Sequence, residues 1–286
     1  MLALTALVAG GSVFGAGATP GASRPWAAPP DIDQAVPPIR TDIPCPLPEV
    51  LNGARDRVQE LVANIHRFSA RERIEHVEIS RRGSRRSARK NNFNYVAQIN
   101  QAASGSPSVE EYRTDRSLTE TPETQMVDSG TAAFALIFHR FYAEDFAMSC
   151  EGLAVVGSRA AWQLHFAQQA NRSNLFHVYR VGSGVYPVKL KGRAWIAADN
   201  YEVLRLQTDL LEPIGRIRLL REHSDIEYAA VEFRKQNVRL WLPRIAELYM
   251  DYHGHRYQRR HDFSNFELFT VETGEQIEGL KASRKK

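Results

Sequence analysis

The second half of the chain is dominated by alternating apolar and polar positions. From residue 192 to residue 271, apolar side chains recur at every second position in successive runs that short turns separate. A period of two is typical of β-strands that bury one face. Asp199 and Asn200 lie between two such runs, and both residue types accept the positive φ angles of a tight hairpin turn. Because short turns connect antiparallel neighbours, the pattern predicts an antiparallel meander and no β-α-β unit.

The same period predicts strands outside this region and divides the region itself. Pro243 lies where two predicted strands meet, and proline interrupts ladder pairing because it has no N–H to donate. One more strand is expected within residues 108–128, ahead of a loop. The other strands are predicted at residues 73–80, 92–99, 146–156, 160–168, 175–181, 185–190, 217–228, 231–242, 245–253 and 256–271.

Two segments have helical spacing instead. In residues 47–68, apolar side chains recur three and four positions apart, which predicts an amphipathic helix with Pro48 in its first turn. Residues 130–142 are apolar around most of a helical circumference, which predicts a second, packed helix. Two helices of this size are suitable covers for the apolar face of an antiparallel sheet.

The N-terminal region contains two segments of different composition. Residues 1–18 are apolar and then rich in small residues, and Ala16-Gly17-Ala18 has the shape of a signal-peptidase site. We therefore predict an export signal and a periplasmic or secreted protein, although the missing basic n-region leaves a disordered Ala/Gly tail as the alternative. Residues 19–46 are rich in Pro and Ala, which predicts an extended or disordered leader. No later run is long enough to span a bilayer, so no transmembrane segment is predicted in the mature chain.

Composition narrows the class of protein. The 286 residues are 43% hydrophobic, enough for a substantial core, and the formal net charge of +4 is too modest to predict a nucleic-acid partner. Six positive charges lie in residues 81–90, which we interpret as a solvated hairpin tip rather than a nucleic-acid or headgroup contact. Cys45 and Cys150 are the two cysteines; they pair in an oxidising compartment or remain two thiols, and their spacing leaves both states open.

Candidate catalytic and metal-binding residues are few. His253, His255 and His261 lie near a predicted turn, but no Asp, Glu or Cys at ligand spacing completes a site, so no metal is predicted. Glu222 and Asp225 place carboxylates in one strand, and spacing alone does not make them an acid–base pair. The sequence has no nucleophile elbow, phosphate loop or dinucleotide-binding motif, so we predict no catalytic residue and no cofactor.

Three short phrases carry a resemblance to a known family: Gly-Arg-Ala-Trp-Ile at residues 192–196, Val-Leu-Arg-Leu at 203–206 and Leu-Trp-Leu-Pro at 240–243. Together with the order of helix, hairpins, apolar helix and meander, they resemble the outer-membrane lipoprotein-sorting group. That group comprises LolA-like periplasmic lipoprotein carriers and lipid-sensing regulators of envelope stress. The resemblance covers residues 47–272 and leaves 273–286 as a basic polar tail. It implies the fold class α+β, mostly β: a single, strongly curved antiparallel sheet, or incomplete barrel, with helices covering its concave face.

On such a sheet, the concave face would hold either an apolar ligand or a filled core. Our leading hypothesis is an exported, non-enzymatic binding module for an acyl chain, a lipoprotein or an envelope protein partner. The alternatives are a structural or protein-interaction module with a filled core, and a hydrolase whose carboxylate and histidine site only folding assembles. The candidate ligand-binding residues are Trp195, Leu204, Leu206, Leu240, Leu242, Leu248, Met250 and Tyr252.

Overall fold

The computed structural model describes residues 27–114, 127–128, 131–172 and 177–269. The predicted export signal at 1–18 and the basic tail at 273–286 lie outside these ranges. Within them, α1 (Leu47–Asn64) is the one α-helix, and 3₁₀ segments lie at Thr131–Phe138, Ala143–Asp145 and Gly215–Ile217. The strands are β1 (Arg67–Ile79), β2 (Arg85–Gln101), β3 (Pro107–Thr114), β4 (Val127–Asp128), β5 (Phe146–Val156), β6 (Arg159–Gln168), β7 (Val178–Val181), β8 (Gly184–Pro187), β9 (Leu190–Ala197), β10 (Val203–Leu210), β11 (Leu219–Phe233), β12 (Val238–Tyr252) and β13 (His255–Phe269).

Ten strands form one large antiparallel sheet in the order β3-β2-β1-β13-β12-β11-β10-β9-β6-β5. Strands β3 and β5 stand at opposite ends of this order, so the sheet is not closed into a barrel. The mostly β, antiparallel architecture predicted from the sequence is confirmed. The expectation of a single sheet is wrong, because the short hairpin β7–β8 pairs with β4 and forms a second sheet of three strands.

Helix α1 begins where the sequence predicted and ends four residues earlier. Its buried residues share one stripe along the helix: Val50, Ala54, Val58 and Val62. This four-residue spacing turns one face towards the core. Ile65 has an extended backbone and ends the helix. Phe68, which the apolar spacing had placed in the helix, belongs to β1, because the chain from Arg67 onwards pairs with both β2 and β13.

The C-terminal meander has three long strands where the sequence predicted four. Strands β11, β12 and β13 contain 15 residues each. Pro243 does not end a strand; it lies inside β12, opposite Tyr228 and beside a register shift between Glu227 and Tyr228. On its other side, β12 pairs with β13 only from Ile245 onwards. The missing N–H of proline is tolerated here because regular pairing is already interrupted on both sides.

Two predicted turns differ from the structure in detail. The β9–β10 hairpin is confirmed, but its positive φ angle of 60° is at Tyr201 rather than at Asp199 or Asn200. The Tyr201 ring packs so closely on Gly53 of α1 that a Cβ atom there would collide with it. The predicted basic loop is also shorter than expected, because residues 85–90 belong to strand β2 and only residues 80–84 form the turn.

The two faces of the large sheet bury different side chains. Along β9, Ala194 and Ile196 belong to the main core cluster with α1, whereas Trp195 and Ala197 belong to a second, smaller cluster. Successive strand residues point to opposite faces, so the clusters lie on opposite sides of the sheet. We call the side under α1 the covered face. The other side is crossed by residues 27–42, which we call the strap, and is named the strap face.

Candidate functional site

The centre of the covered face is occupied by an apolar segment of the chain, residues 134–138, which we call the plug. Its five residues are Phe134, Ala135, Leu136, Ile137 and Phe138, and none exposes more than 5% of its surface. The segment was predicted as a packed helix; the packing is confirmed, but the conformation is 3₁₀. It contacts both α1 and β12, and the narrower 3₁₀ winding suits a position between a helix and a sheet.

Polar contacts near both ends hold the plug against the sheet edge. The Ala132 N–H donates to Glu111 Oε1 of β3 at 3.0 Å, and the Tyr142 hydroxyl donates to the carbonyl of Pro107 at 2.6 Å. The Phe134 ring lies 5.0 Å from the His177 ring, centroid to centroid. The plug is therefore tied mainly through residues of β3, the edge strand of the large sheet.

Six of the eight predicted ligand-binding residues lie on the covered face with the plug. Two small clefts of about 20 Å³ each lie between the plug and two of these residues. One is lined by Ala135 and Leu240, and the other by Phe134 and Leu248. Each has room for about one water molecule, so neither cleft as it stands would hold an acyl chain. The six residues are Leu206, Leu240, Leu242, Leu248, Met250 and, only partly buried, Tyr252.

Trp195 and Leu204 are not brought together with the other six. Both belong to the smaller cluster on the strap face. For Leu204 the physical reason is a register shift between Val203 and Arg205, which breaks the simple alternation along β10 and moves Leu204 away from the face of Leu206. The Trp195 indole N–H donates to Gln163 Oε1 at 2.9 Å, so its polar atom is satisfied within the strap face.

A buried acidic and basic cluster joins the edge strand to the meander on the covered face. Glu72 is 1% exposed; it accepts from Arg113 Nε at 2.7 Å and lies 2.8 Å from His261 Nδ1. Burial alone would raise the Glu72 pKa and is the largest single influence. The hydrogen bonds with His261 and Arg113, together with the Arg113 charge, outweigh it and lower the pKa of Glu72.

A second buried carboxylate lies across the same cleft. Glu222 is 2% exposed, its Oε1 lies 2.8 Å from His177 Nε2, and its Oε2 accepts from the Tyr179 hydroxyl at 2.6 Å. Both polar clusters border the 20 Å³ cleft beside Phe134. Sequence reasoning noticed Glu222 and His261 separately, but their partners come from distant strands and no local spacing pointed to them.

The histidines considered as metal ligands are dispersed. His253 lies in the β12–β13 turn, His255 contacts Glu78 at 3.3 Å on the surface, and His261 is buried against Glu72. Within the ranges that the structure covers, no group of three or more His, Cys, Asp or Glu side chains is placed to hold a metal ion.

Among the described residues, no helix has both the length and the apolar composition required to cross a membrane.

The strap face carries a groove of about 530 Å³, much larger than either cleft on the covered face. Its roof is formed by Pro and Ala side chains of the strap, and its floor includes His223, Asp225, Glu247, Tyr249 and Gln258. This volume is within the range of small-molecule sites. The sequence predicted an extended or disordered leader; residues 27–46 are described, and Ile32 among them is only 2% exposed.

Arg193 is a buried anchor of the strap, and sequence reasoning missed it. It is 1% exposed, makes a two-pronged ion pair with Glu151 at 2.7 and 2.9 Å, and donates to the carbonyl groups of Ile32 and Ala35. Farther along, the strap residue Arg40 and Leu153 of β5 exchange backbone hydrogen bonds of 2.7 and 2.9 Å. An arginine directly before the apolar run Ala194–Ala197 was the one available signal.

Cys45 and Cys150 form a disulfide, which settles the question that their spacing left open. Their Cα atoms are 6.3 Å apart and 105 positions apart in sequence. Cys45 lies two residues before α1, and Cys150 is in the edge strand β5. The bond therefore fastens the end of the strap and the start of α1 to one edge of the large sheet.

No family model matches the chain, and no curated protein matches its sequence. Among solved structures, the chain is similar to a DUF1329 family protein from Desulfovibrio piger, with a TM-score of 0.43 and 10% identity over 80% of this chain and 95% of that one. It is also similar to a LolA superfamily protein from Nitrosomonas europaea (TM-score 0.37, 10% identity, 78% and 94% covered). A third is an outer membrane lipoprotein-sorting protein domain from Vibrio parahaemolyticus (TM-score 0.40, 9% identity, 77% and 94% covered). The last two are named for the group that the sequence phrases resemble.

Proposed function

We propose that the protein is an exported, non-enzymatic binding module for an apolar ligand, an acyl chain or the lipid part of a lipoprotein, and that this ligand takes the place of the plug. The observation that carries the proposal is the plug itself. It is a short, wholly apolar 3₁₀ segment in the position where a ligand would contact Leu206, Leu240 and Leu248. 3₁₀ helices have poorer hydrogen-bond geometry than α-helices, so this segment has less internal stability to lose.

The size of the plug indicates the class of ligand that could replace it. Exposing its four large side chains to water would cost about 6–12 kcal/mol, at roughly 1.5–3 kcal/mol each. Burying methylene groups returns about 0.8 kcal/mol each, so about 8–15 of them balance the cost. That length corresponds to a membrane acyl chain, whereas a small polar metabolite would not offset the cost of exposing the plug.

The disulfide supports export. Disulfides form and persist in oxidising compartments and are rare where thiols are kept reduced. A bond between Cys45 and Cys150 therefore favours a periplasmic or secreted location over a reducing one. It also agrees with the export signal predicted at residues 1–18.

The geometry of the buried carboxylates favours binding over hydrolysis. Glu72 and Glu222 each use both carboxylate oxygens in contacts with neighbouring side chains. A general acid or base must reach its substrate, but the cleft beside these residues holds only about 20 Å³. We interpret both clusters as structural supports for the edge strand and the small sheet.

Titration of the purified protein with a fluorescent fatty acid tests the proposal. Ile137→Ala removes buried plug volume and should increase the affinity for the probe, because less apolar area must be displaced. Ile79→Ala is the matched control: Ile79 is 3% exposed and lies outside the main core cluster, to which the plug belongs. Equal increases in both variants would mean general loosening, and the absence of uptake by the wild type and by Ile137→Ala would contradict the proposal.

The strap-face groove favours a second candidate, a protein-interaction or ligand-binding module with a permanently filled covered face. Its volume of about 530 Å³ exists without any displacement of the chain. Ala28→Trp places an indole in this groove and leaves the plug intact. Probe binding that Ala28→Trp abolishes and Ile137→Ala does not change would assign the site to the groove and not to the plug.

A further inference from the structure

One buried hydroxyl on the covered face has no hydrogen-bond partner among the described residues. Tyr228 of β11 exposes only 7% of its surface, and its hydroxyl oxygen is buried without such a partner. Burial raises the pKa of this hydroxyl, so the group keeps its proton and remains a hydrogen-bond donor at physiological pH. Because a buried donor without an acceptor is unfavourable, its presence needs an explanation, and a ligand that supplies the acceptor is one.

Tyr228 lines a cleft that borders the plug. This is the cleft of about 20 Å³ beside the plug residue Ala135 and the predicted ligand contact Leu240. Displacement of the plug would remove Ala135 from the wall and join the cleft to the space that an acyl chain would enter. In the other cleft, beside Phe134, both carboxylate oxygens of Glu222 already contact neighbouring side chains. Tyr228, unlike Glu222, therefore has unused bonding capacity at the boundary of the proposed ligand site.

One end of the Tyr228 cleft is polar and open to water. Arg57 and Glu60 of α1 and Arg239 of β12 line it, and each exposes 41% or more of its side chain. An amphiphile bound here would place its polar end beside these residues, since polar groups are costly to bury away from water or partners. Arg57 pairs with Glu60 at 2.7 Å. Arg239 pairs with Glu232. Because these charges are already paired, this end of the cleft suits a neutral polar group better than an ion.

Glu202, directly before β10, is a second hydrogen-bonding group that lines the cleft. Burial is the largest influence on it and raises the pKa of Glu202 to about 7; the Arg57 charge opposes this shift and the Glu60 charge adds to it. At neutral pH the carboxyl therefore retains its proton in a large fraction of molecules, and a protonated carboxyl donates a hydrogen bond. Two donors in one cleft, Tyr228 and Glu202, favour a ligand group that accepts hydrogen bonds.

We propose that Tyr228 donates a hydrogen bond to the carbonyl oxygen of an acyl chain bound in place of the plug, and that this cleft receives the polar end of the ligand. Because the ligand must first displace the plug, the proposal rests on the proposed function. A carbonyl oxygen is a neutral acceptor attached directly to an acyl chain, as in ester-linked and amide-linked lipids. An ether-linked chain offers the same apolar contacts without the carbonyl. The protein should therefore prefer acyl lipids to ether lipids of equal chain length.

The test compares two fluorescent long-chain probes, an ester and the ether that has a methylene group in place of the carbonyl. Wild-type protein should bind the ester about fivefold more tightly, the size expected for one neutral hydrogen bond. Tyr228→Phe removes the hydroxyl and keeps the ring, so it should bind the ester more weakly and the two probes equally. Urea unfolding should show this variant to be at least as stable as the wild type, because the removed hydroxyl has no partner in the free protein.

Tyr95→Phe is the matched control. Tyr95 is also buried on the covered face, but it lines neither cleft, so this variant should keep the preference for the ester. Equal binding of the two probes by the wild type, a preference that persists in Tyr228→Phe, or a preference lost in Tyr95→Phe as well would overturn the proposal and leave the proposed function standing.

Two other results would also count against the role of Tyr228. A clear loss of stability in Tyr228→Phe would reveal a bond of the hydroxyl in the free protein and would overturn the proposal. If neither probe binds the wild type or Ile137→Ala, the proposed function itself fails, and the role of Tyr228 fails with it. The two failures are distinguishable because the first leaves probe uptake intact and the second abolishes it.

Discussion

Removing the Cys45–Cys150 disulfide should destabilise the protein by several kcal/mol. The bond spans 105 positions and connects the start of α1 to the edge strand β5. In the chain-entropy model, a closed loop of about 100 residues corresponds to about 4.7 kcal/mol, and typical measured values are about 2–4 kcal/mol. Reduction should therefore stabilise the unfolded ensemble by this amount while the contacts of the folded sheet remain.

Urea unfolding with and without a thiol reductant measures this effect. With a slope of about 3 kcal/mol per M of urea, a loss of about 4 kcal/mol moves the midpoint down by about 1.3 M. The double variant Cys45→Ala/Cys150→Ala should unfold at the midpoint of the reduced protein and should not respond to reductant. The reasoning would be refuted by an unchanged midpoint on reduction, or by two titratable thiols in protein purified from an oxidising compartment.

Three further predictions concern single side chains. Gly192→Ala should destabilise the protein by about 1–3 kcal/mol in urea unfolding, because the new Cβ would collide with the Phe166 ring and the Gln207 carbonyl; a neutral result would contradict the close packing there. Burial raises the pKa of Glu202 to about 7, so the folded state retains a proton that the unfolded state loses above about pH 4.5. The stability of the folded state should therefore decline as the pH rises from about 4.5 through 7, by on the order of 1 kcal/mol after solvent screening. Glu202→Gln should remove this decline from a plot of Tm against pH. Arg193→Met should cost about 3 kcal/mol and accelerate amide exchange in the strap, since Glu151 loses its ion-pair partner; unchanged exchange throughout residues 31–40 would rule out the anchor role.

Much of the architecture follows from short-range pattern. The stripe from Val50 to Val62 predicted α1, and alternation predicted most strands of the large sheet, because both periods report which face of one element is buried. Strand boundaries were less predictable. Pro243 reads as a strand end, yet it is accommodated inside β12 where pairing on both sides is already irregular.

The parts of the site that sequence did not predict depend on long-range contacts. Leu204 changes face because of a register shift, and alternation counted from Leu206 has no means of detecting it. The role of Arg193 requires Glu151, Ile32 and Ala35, which lie 42 to 161 positions away in the chain. The fixed position of the strap follows from these partners, since Pro and Ala composition alone predicts only an extended chain.

Contacts of this kind also suggest whether α1 or the plug, which both pack on the covered face, is displaced more easily. Helix α1 is fastened at its start by a covalent bond to β5, whose entropic contribution is several kcal/mol. The plug is held at its ends by the hydrogen bonds of Ala132 and Tyr142 to β3, each worth about 1 kcal/mol net. Under the proposed function, an acyl chain would replace the apolar contacts of the plug, whereas moving the start of α1 away from β5 would require the disulfide to break. We therefore propose that exchange of the plug for a ligand, with α1 fixed in place, is the transition with the smaller free-energy cost.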